Sequence, residues 1–283
     1  MNPLEKPIVN WFKKHKRDLP WRNTTPWGVM VSEYMLQQTP VHRVLPKWIE
    51  WMDRWPTPKD LAAASPAQVI TAWGRLGYPR RALRLHGAAQ IIAEDFNNEV
   101  PNDELTLQQL PGIGEYTAAA VAAFAFDQRT LVLDVNIRRV LTRVIDGNEH
   151  PKPAPSSREK AARLTLVPQK NAHIWAAATM ELGAIVCTSK NPRCELCPVI
   201  AECNWRMNGY PKTELIRKSQ DWHGTDRQCR GTIVQALREN ESLTENAIKK
   251  LWPVESQVEK ALMTLLKDQL IQSIPRSRYR LPQ

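Results

Sequence analysis

The chain has 283 residues, of which 42% are hydrophobic; that is enough for more than one packed core and too apolar for a disordered polymer. Lys and Arg number 39 against 29 Asp and Glu, a net charge of +10 that favours a polyanionic partner. No apolar run is long enough to span a bilayer, and the opening residues Met1 to Lys6 carry no signal-peptide core. Both features argue against a membrane or secreted protein and for a cytoplasmic one.

From Pro7 to about Leu166 the pattern is helical with short polar or proline-containing breaks, and no alternating run is convincing before the last dozen residues. The fold class is therefore mostly α. Basic residues cluster at Lys13, Lys14, Lys16 and Arg17, at Arg75, Arg80, Arg81 and Arg84, and at Arg138, Arg139 and Arg143, each group a candidate phosphate-facing patch. Arg17-Asp18-Leu19-Pro20-Trp21-Arg22 follows the first of these. Next comes Val29-Met30-Val31-Ser32-Glu33-Tyr34-Met35-Leu36-Gln37-Gln38-Thr39, where Val29, Met30, Leu36 and Gln37 share the helical face of Glu33. A carboxyl on an apolar face is costly to ionise. It either reaches a backbone donor or an arginine, or serves as a general acid near neutral pH. Leu61–Trp73 and Ala82–Ala93 read as short helices, with Ser65-Pro66 marking a start, and Leu76-Gly77-Tyr78 lies between them.

In Leu110-Pro111-Gly112-Ile113-Gly114-Glu115-Tyr116-Thr117 two glycines flank one apolar residue ahead of an alanine-rich helix. Gly112 and Gly114 allow a tight turn whose following N–H groups face a phosphate, although Gly-x-Gly by itself also marks ordinary helix–helix turns. Asp134 comes twenty residues after Gly114, ahead of Val135-Asn136-Ile137. It reads as a helix N-cap, as a catalytic carboxylate, or as both. Pro151 to Ser157 is a stiff surface loop, and Met180-Glu181-Leu182-Gly183 precedes the cysteines.

Cys187, Cys194, Cys197 and Cys203 are spaced C-x6-C-x2-C-x5-C. Four thiolates in one short loop suit zinc or an iron–sulfur cluster, and only one C-x2-C pair is present where zinc sites usually have two. Lys190 and Arg193 bring positive charge to the same loop, and Cys229 stands outside the pattern.

The cysteine spacing, the glycine hairpin with its downstream Asp and the Ser32-to-Thr39 segment together resemble the MutY-type adenine glycosylases of the endonuclease III superfamily, over about residues 8–210. The resemblance implies a helix–hairpin–helix glycosylase fold with a [4Fe–4S] cluster held by the four cysteines. It implies hydrolysis of the glycosidic bond of adenine mispaired with guanine or 8-oxoguanine in double-stranded DNA, by a monomer. Glu33 is then the acid that protonates adenine and Asp134 steadies the sugar cation, with Tyr116 and Asn136 shaping that pocket. Arg17, Trp21, Arg22 and Glu181 line the extruded base; Gln38 fills the vacated space and Tyr78 is the wedge at the opposite base. Tyr116 stands where lyase-type members carry a Lys, so water rather than an amine attacks the sugar. Pro79 stands where many members have a second Tyr, and residues 225–283 do not resemble the usual C-terminal domain of the family. Two other readings stay open: an endonuclease III-like pyrimidine glycosylase with lyase activity, and a non-catalytic iron–sulfur DNA-binding protein.

The expected organisation is a two-lobed helical domain over 1–186, the cluster loop at 187–203, a linker at 204–224 and a separate module at 225–283. In that module Arg227–Arg238 reads as one helix, Leu243-Thr244-Glu245-Asn246 opens a second and Glu255–Lys267 forms a third. A weakly alternating hairpin at Leu270–Leu281 completes a winged-helix-like pattern, with Arg276, Arg278 and Arg280 on the wing.

Overall fold

The computed structural model describes residues 2–213 and 222–283, so the middle of the expected linker, 214–221, lies outside the described residues. In chain order the helices are α1 Glu5–His15, α2 Pro26–Leu36, α3 Val41–Arg54, α4 Pro58–Ala62, α5 Pro66–Trp73, α6 Arg80–Asp95, α7 Glu104–Gln109, α8 Glu115–Phe126, α9 Val135–Leu141, α10 Ser157–Leu164, α11 Ala172–Ile185, α12 Asn204–Met207, α13 Asp226–Glu239, α14 Glu245–Lys249 and α15 Glu255–Lys267. The strands are β1 Leu243–Thr244, β2 Gln272–Ile274 and β3 Arg278–Arg280. The mostly α class follows directly.

The described residues divide into two compact units built from discontinuous segments: 2–29, 102–109 and 113–213 in one, and 30–101, 110–112 and 222–283 in the other. In the first, α1, α8, α9 and α11 surround a core that includes Ile8, Ala120, Ala123, Val140, Ala178 and Leu182. Residues Thr117 to Ala123 of α8 are all buried, as expected of a helix that is apolar on every side. Small side chains make that packing possible. At Gly183 of α11 a Cβ would stand 2.7 Å from the Asn136 carbonyl oxygen, so glycine is what lets α11 approach α9. The loop expected at Pro151–Ser157 is found, ending where Ser156 caps α10 by accepting from the Glu159 N–H.

In the second unit the Leu61–Trp73 stretch splits in two. Thr57 with Asp60 and Ser65 with Gln68 form capping boxes, each followed by a proline, so α4 and α5 start separately. The Trp51 ring meets those of Trp55 and Trp73 edge-on, at centroid distances of 4.9 and 5.4 Å. The C-terminal elements run α13, β1, α14, α15, β2, β3, and the antiparallel sheet has the order β1-β3-β2. β1 adds a strand that the sequence pattern did not reveal, because two residues are too few to alternate.

Two findings refine the expected organisation. The linker from 204 opens on a helix, α12, whose Trp205 is buried. The core of residues 225–283, with Cys229, Ile233, Leu237, Val258 and Leu265, also contains Ile70 of α5, and Ala67 and Leu83 pack against it. Of the three arginines expected on the wing, Arg278 is tied to Ser242 and Arg280 pairs across the ladder with Gln272; Arg276 occupies the turn itself.

Candidate active site

In the first unit the segment Pro20–Arg22 forms a single 3-10 turn after α1, which turns Arg17 and Arg22 toward α11. Glu181 of α11 is 1% exposed, and its carboxylate accepts from the Arg17 backbone N–H and from Arg17 Nε and Nη2, each at 2.8 Å, and from Arg22 Nη2 at 2.9 Å. Burial alone would raise the Glu181 pKa. The Arg17 hydrogen bonds and the two guanidinium charges outweigh it and hold the carboxyl below its usual range. The same bond to Glu181 raises the Arg17 pKa against the opposing effect of burial. Trp21 is buried beside this network.

Asp134 has an extended backbone and accepts from the Ile137 N–H at 2.6 Å, so it caps α9 as its position suggested. Its other oxygen accepts from Asn136 Nδ2 at 2.7 Å. Although part of its surface is open, Asp134 is densely surrounded by protein, and this desolvation raises its pKa against the pull of the Ile137 and Asn136 donors and of Arg139. Asn136 Oδ1 in turn accepts from Arg139 Nη2 at 2.8 Å. The capping role and a chemical role are thus compatible, because the cap uses one oxygen. Tyr116 is half-buried in the first turn of α8, and Gly114 caps that helix with no side-chain acceptor of its own.

In the second unit Glu33 sits in α2 at 6% exposure, with Met30, Tyr34 and Met35 fully buried on the same helix. The helix stops at Leu36, one residue short of Gln37 in the expected apolar face. Gln38 and Tyr78 are both exposed and both take left-handed backbone conformations, φ 56° and 47°. Non-glycine residues pay for this conformation locally, and strain of this kind collects at functional loops.

One side chain holds both loops, and it faces the interior although its basic cluster suggested a phosphate-facing patch. Arg81 is 6% exposed. Its guanidinium donates to the carbonyls of Tyr34 (3.0 Å), Met35 (3.2 Å) and Gln37, to Thr39 Oγ1 (3.0 Å), and to the carbonyls of Leu76 (3.4 Å) and Gly77 (3.0 Å). It therefore satisfies the C-terminal carbonyls of α2, favourably for the helix dipole, and pins the Gln38 and Tyr78 loops together. At Gly112, φ 86°, a Cβ would meet Arg84 at 2.9 Å and the Tyr34 ring at 3.0 Å, so the hairpin turn demands glycine.

The four clustered cysteines are half-buried, form no disulfide and line one pocket with Val140, Arg143 and Trp205. Burial pushes the Cys197 thiol up to about 12, with smaller contributions from the neighbouring sulfurs. Among the described residues no group of three or more His, Cys, Asp or Glu side chains is placed to hold a metal ion directly. Arg143, 1% exposed, places Nη1 3.4 Å from Cys187 Sγ and stacks over the Trp205 ring at 4.5 Å. It projects from a π-helical segment, Thr142–Asp146, that continues α9.

Arg138 and Arg139 are buried as well: Arg138 pairs with Glu159 at 2.7 Å and Arg139 Nε donates to the Cys187 carbonyl at 2.7 Å. The third basic cluster therefore serves the interior, not phosphate. Lys13, Lys14, Lys16, Arg75, Arg84, Lys190 and Arg193 are exposed.

The hairpin from α7 to α8 and the Asp134 cap place the chain in a known class: it belongs to the HhH-GPD superfamily of base excision DNA repair proteins, whose family model matches residues 31–165. The adenine DNA glycosylase of Mycolicibacterium smegmatis is 44% identical, covering 99% of this chain and 96% of that protein. That of Mycobacterium tuberculosis is 46% identical over 97% and 92%. The human adenine DNA glycosylase is 40% identical over 71% of this chain and 39% of its own length. Among solved structures, a thermostable thymine-DNA glycosylase superposes with a TM-score of 0.67 at 24% identity, covering 72% of this chain and 95% of that one. A non-covalent endonuclease III–DNA complex gives 0.60 at 21% identity, covering 71% and 95%. Likeness at these identities establishes the shared fold alone.

Proposed function

We propose that this protein is a monofunctional adenine DNA glycosylase of base excision repair, acting as a monomer in the cytoplasm on double-stranded DNA in which adenine is mispaired with guanine or 8-oxoguanine. The observation that carries this reading is the near-full-length similarity to adenine DNA glycosylases at 44–46% identity. Extrusion of the adenine comes first, because the scissile bond is out of reach inside the base stack. Gln38 and Tyr78, on their paired left-handed turns, are the residues that enter the duplex. The buried Glu33 gives its proton to the adenine ring as the bond from C1′ to the base nitrogen breaks, and the electron pair leaves with the base. Asp134, ionised, faces the sugar cation; water adds to C1′ and its proton passes to a carboxylate. Asn136 fixes the Asp134 carboxylate, and Tyr116 leaves no amine for imine formation. Arg17, Arg22 and Glu181 form the wall that holds the extruded base, their mutual ion pairs keeping it rigid.

The four cysteines fit a [4Fe–4S] cluster better than one zinc ion. They share a pocket, and their spacing holds one C-x2-C pair where zinc sites usually have two. When bound, the cluster supplies a covalent cross-link that ties the loop 187–203 to itself. Arg143 then places a fixed positive charge beside Cys187. The deciding experiment incubates the protein with a panel of mismatched duplexes and scores base release and strand nicking separately. Adenine release opposite guanine and 8-oxoguanine, without nicking until alkali is added, is expected. Release of pyrimidines with spontaneous nicking, or no release at all, would overturn the reading. Iron and sulfide in the purified protein are expected, and one zinc without iron would refute the cluster.

A further inference from the structure

Residues 222–283 grip the Tyr78 loop at two neighbouring positions. The Arg227 guanidinium, in the first turn of α13, lies 4.4 Å from the centroid of the Tyr78 ring, and the same group lies 5.3 Å from the centroid of Trp222. Two residues after Tyr78, Arg80 Nη1 is 3.2 Å from Asp268, whose other oxygen is held by Arg230 at 2.6 Å. Tyr78 itself is 43% exposed on a left-handed backbone; the buried Arg81 guanidinium lies 5.6 Å from its ring centroid, farther than that of Arg227.

We propose that Arg227 is a positioning residue for Tyr78, and that through this contact the C-terminal segment sets discrimination at the base opposite the extruded one; the inference rests on the reading of Tyr78 as the opposite-base wedge. An aromatic side chain that must enter a base step loses rotamer freedom when it does so. A guanidinium stacked on the ring in the free protein meets part of that ordering cost in advance, and Trp222 steadies the guanidinium from a second ring. The Asp268 bridge to Arg80 and Arg230 anchors the loop's other side. This gives the winged-helix-like segment a task that does not depend on its wing, where Arg278 is already tied to Ser242.

The test measures dissociation constants with duplexes that carry 2′-fluoro-deoxyadenosine, which resists cleavage, opposite 8-oxoguanine and opposite thymine. Discrimination is the ratio of the two. Arg227 is exposed, so Arg227→Ala leaves the core of α13 intact. It is expected to lower discrimination about three- to fivefold, the range of an exposed cation–π contact. Tyr78→Ala should lower it further, and the double variant should match Tyr78→Ala alone, because the coupling is lost with the ring. Arg227→Lys, which keeps the cation, should restore most of the loss. Losses that multiply in the double variant would overturn the proposal, as would no effect of Tyr78→Ala on discrimination. So would equal weakening of both duplexes with a salt slope reduced by about one, the signature of a phosphate contact. Because the readout is binding, a parent that releases no adenine yet shows the coupled pattern would sink the proposed function and leave this inference standing. Adenine release with uncoupled losses would do the reverse.

Discussion

Replacing Arg81 with Met tests whether the second basic cluster is partly interior. Burial pushes the Arg81 pKa down to about 10, which puts the cost of holding the charge there at roughly 3 kcal/mol. Met removes that cost. It also strips donors from six acceptors, of which the Leu76 carbonyl keeps Thr39 Oγ1 and the Gly77 carbonyl keeps Trp73 Nε1. Thr39 Oγ1 is also 3.4 Å from the Gln37 carbonyl and has one proton to give, so the loss falls on the Tyr34 and Met35 carbonyls and on one of the Gln37 and Leu76 carbonyls, at about 1–3 kcal/mol for each buried group left unsatisfied. Setting roughly 3–9 kcal/mol against roughly 3 kcal/mol gives a net destabilisation of up to about 6 kcal/mol, with a midpoint near 3 kcal/mol. At two to four degrees per kcal/mol for a chain of this size, that midpoint lowers Tm by roughly 6–12 °C in a calorimetric or dye-based melt. Arg81→Lys, with its charge but no planar fork, should recover only part of this. An unchanged melting temperature, with DNA affinity reduced and a shallower salt slope, would show that Arg81 meets phosphate after all and would refute the clamp.

Glu33→Gln should slow single-turnover adenine release by at least about a hundredfold, the lower bound for losing a positioned general acid, while affinity for the mispaired duplex stays within a few-fold; release near the parent rate would remove Glu33 from the mechanism. In the proposed mechanism Asp134 acts as the carboxylate, so release should be lost as pH falls through its raised pKa. Asn136→Ala removes a donor that draws that value down, and the acid limb of the pH–rate profile should move to higher pH; an unmoved limb would contradict the assignment. Glu181 titrates below its usual range, so its stabilisation is present above the ordinary carboxylate pKa and is lost as pH falls through the folded value. Glu181→Gln should cost about 1–3 kcal/mol at neutral pH, less than for a fully buried pair because Arg17 and Arg22 keep 36% and 22% of their side-chain surface open. It should also flatten the acid side of the stability curve measured by urea titration; a parallel curve would count against the ion-pair account.

Local signals determined much of this protein. The cysteine spacing, the two hairpin glycines and Asp134 ahead of α9 were legible because each depends on residues close together in the chain: a cap reaches three residues on, and a tight turn needs its glycine in place. The helices α13 and α15 were equally plain, since their apolar residues recur at helical spacing. Charge was where sequence reading failed. Arg81, Arg138, Arg139 and Arg143 look like any surface arginine in one dimension, yet each is buried against carbonyls, a carboxylate or a sulfur supplied by distant segments. Whether an arginine faces phosphate or a buried helix end depends on which acceptors the fold brings within 3 Å of it, and a guanidinium satisfies either equally well. The same holds for the C-terminal segment. Its own elements could be read from periodicity, but the sharing of its core with Ile70 and the stacking of Arg227 on Tyr78 join residues some 150 positions apart, a pairing that only the tertiary structure decides.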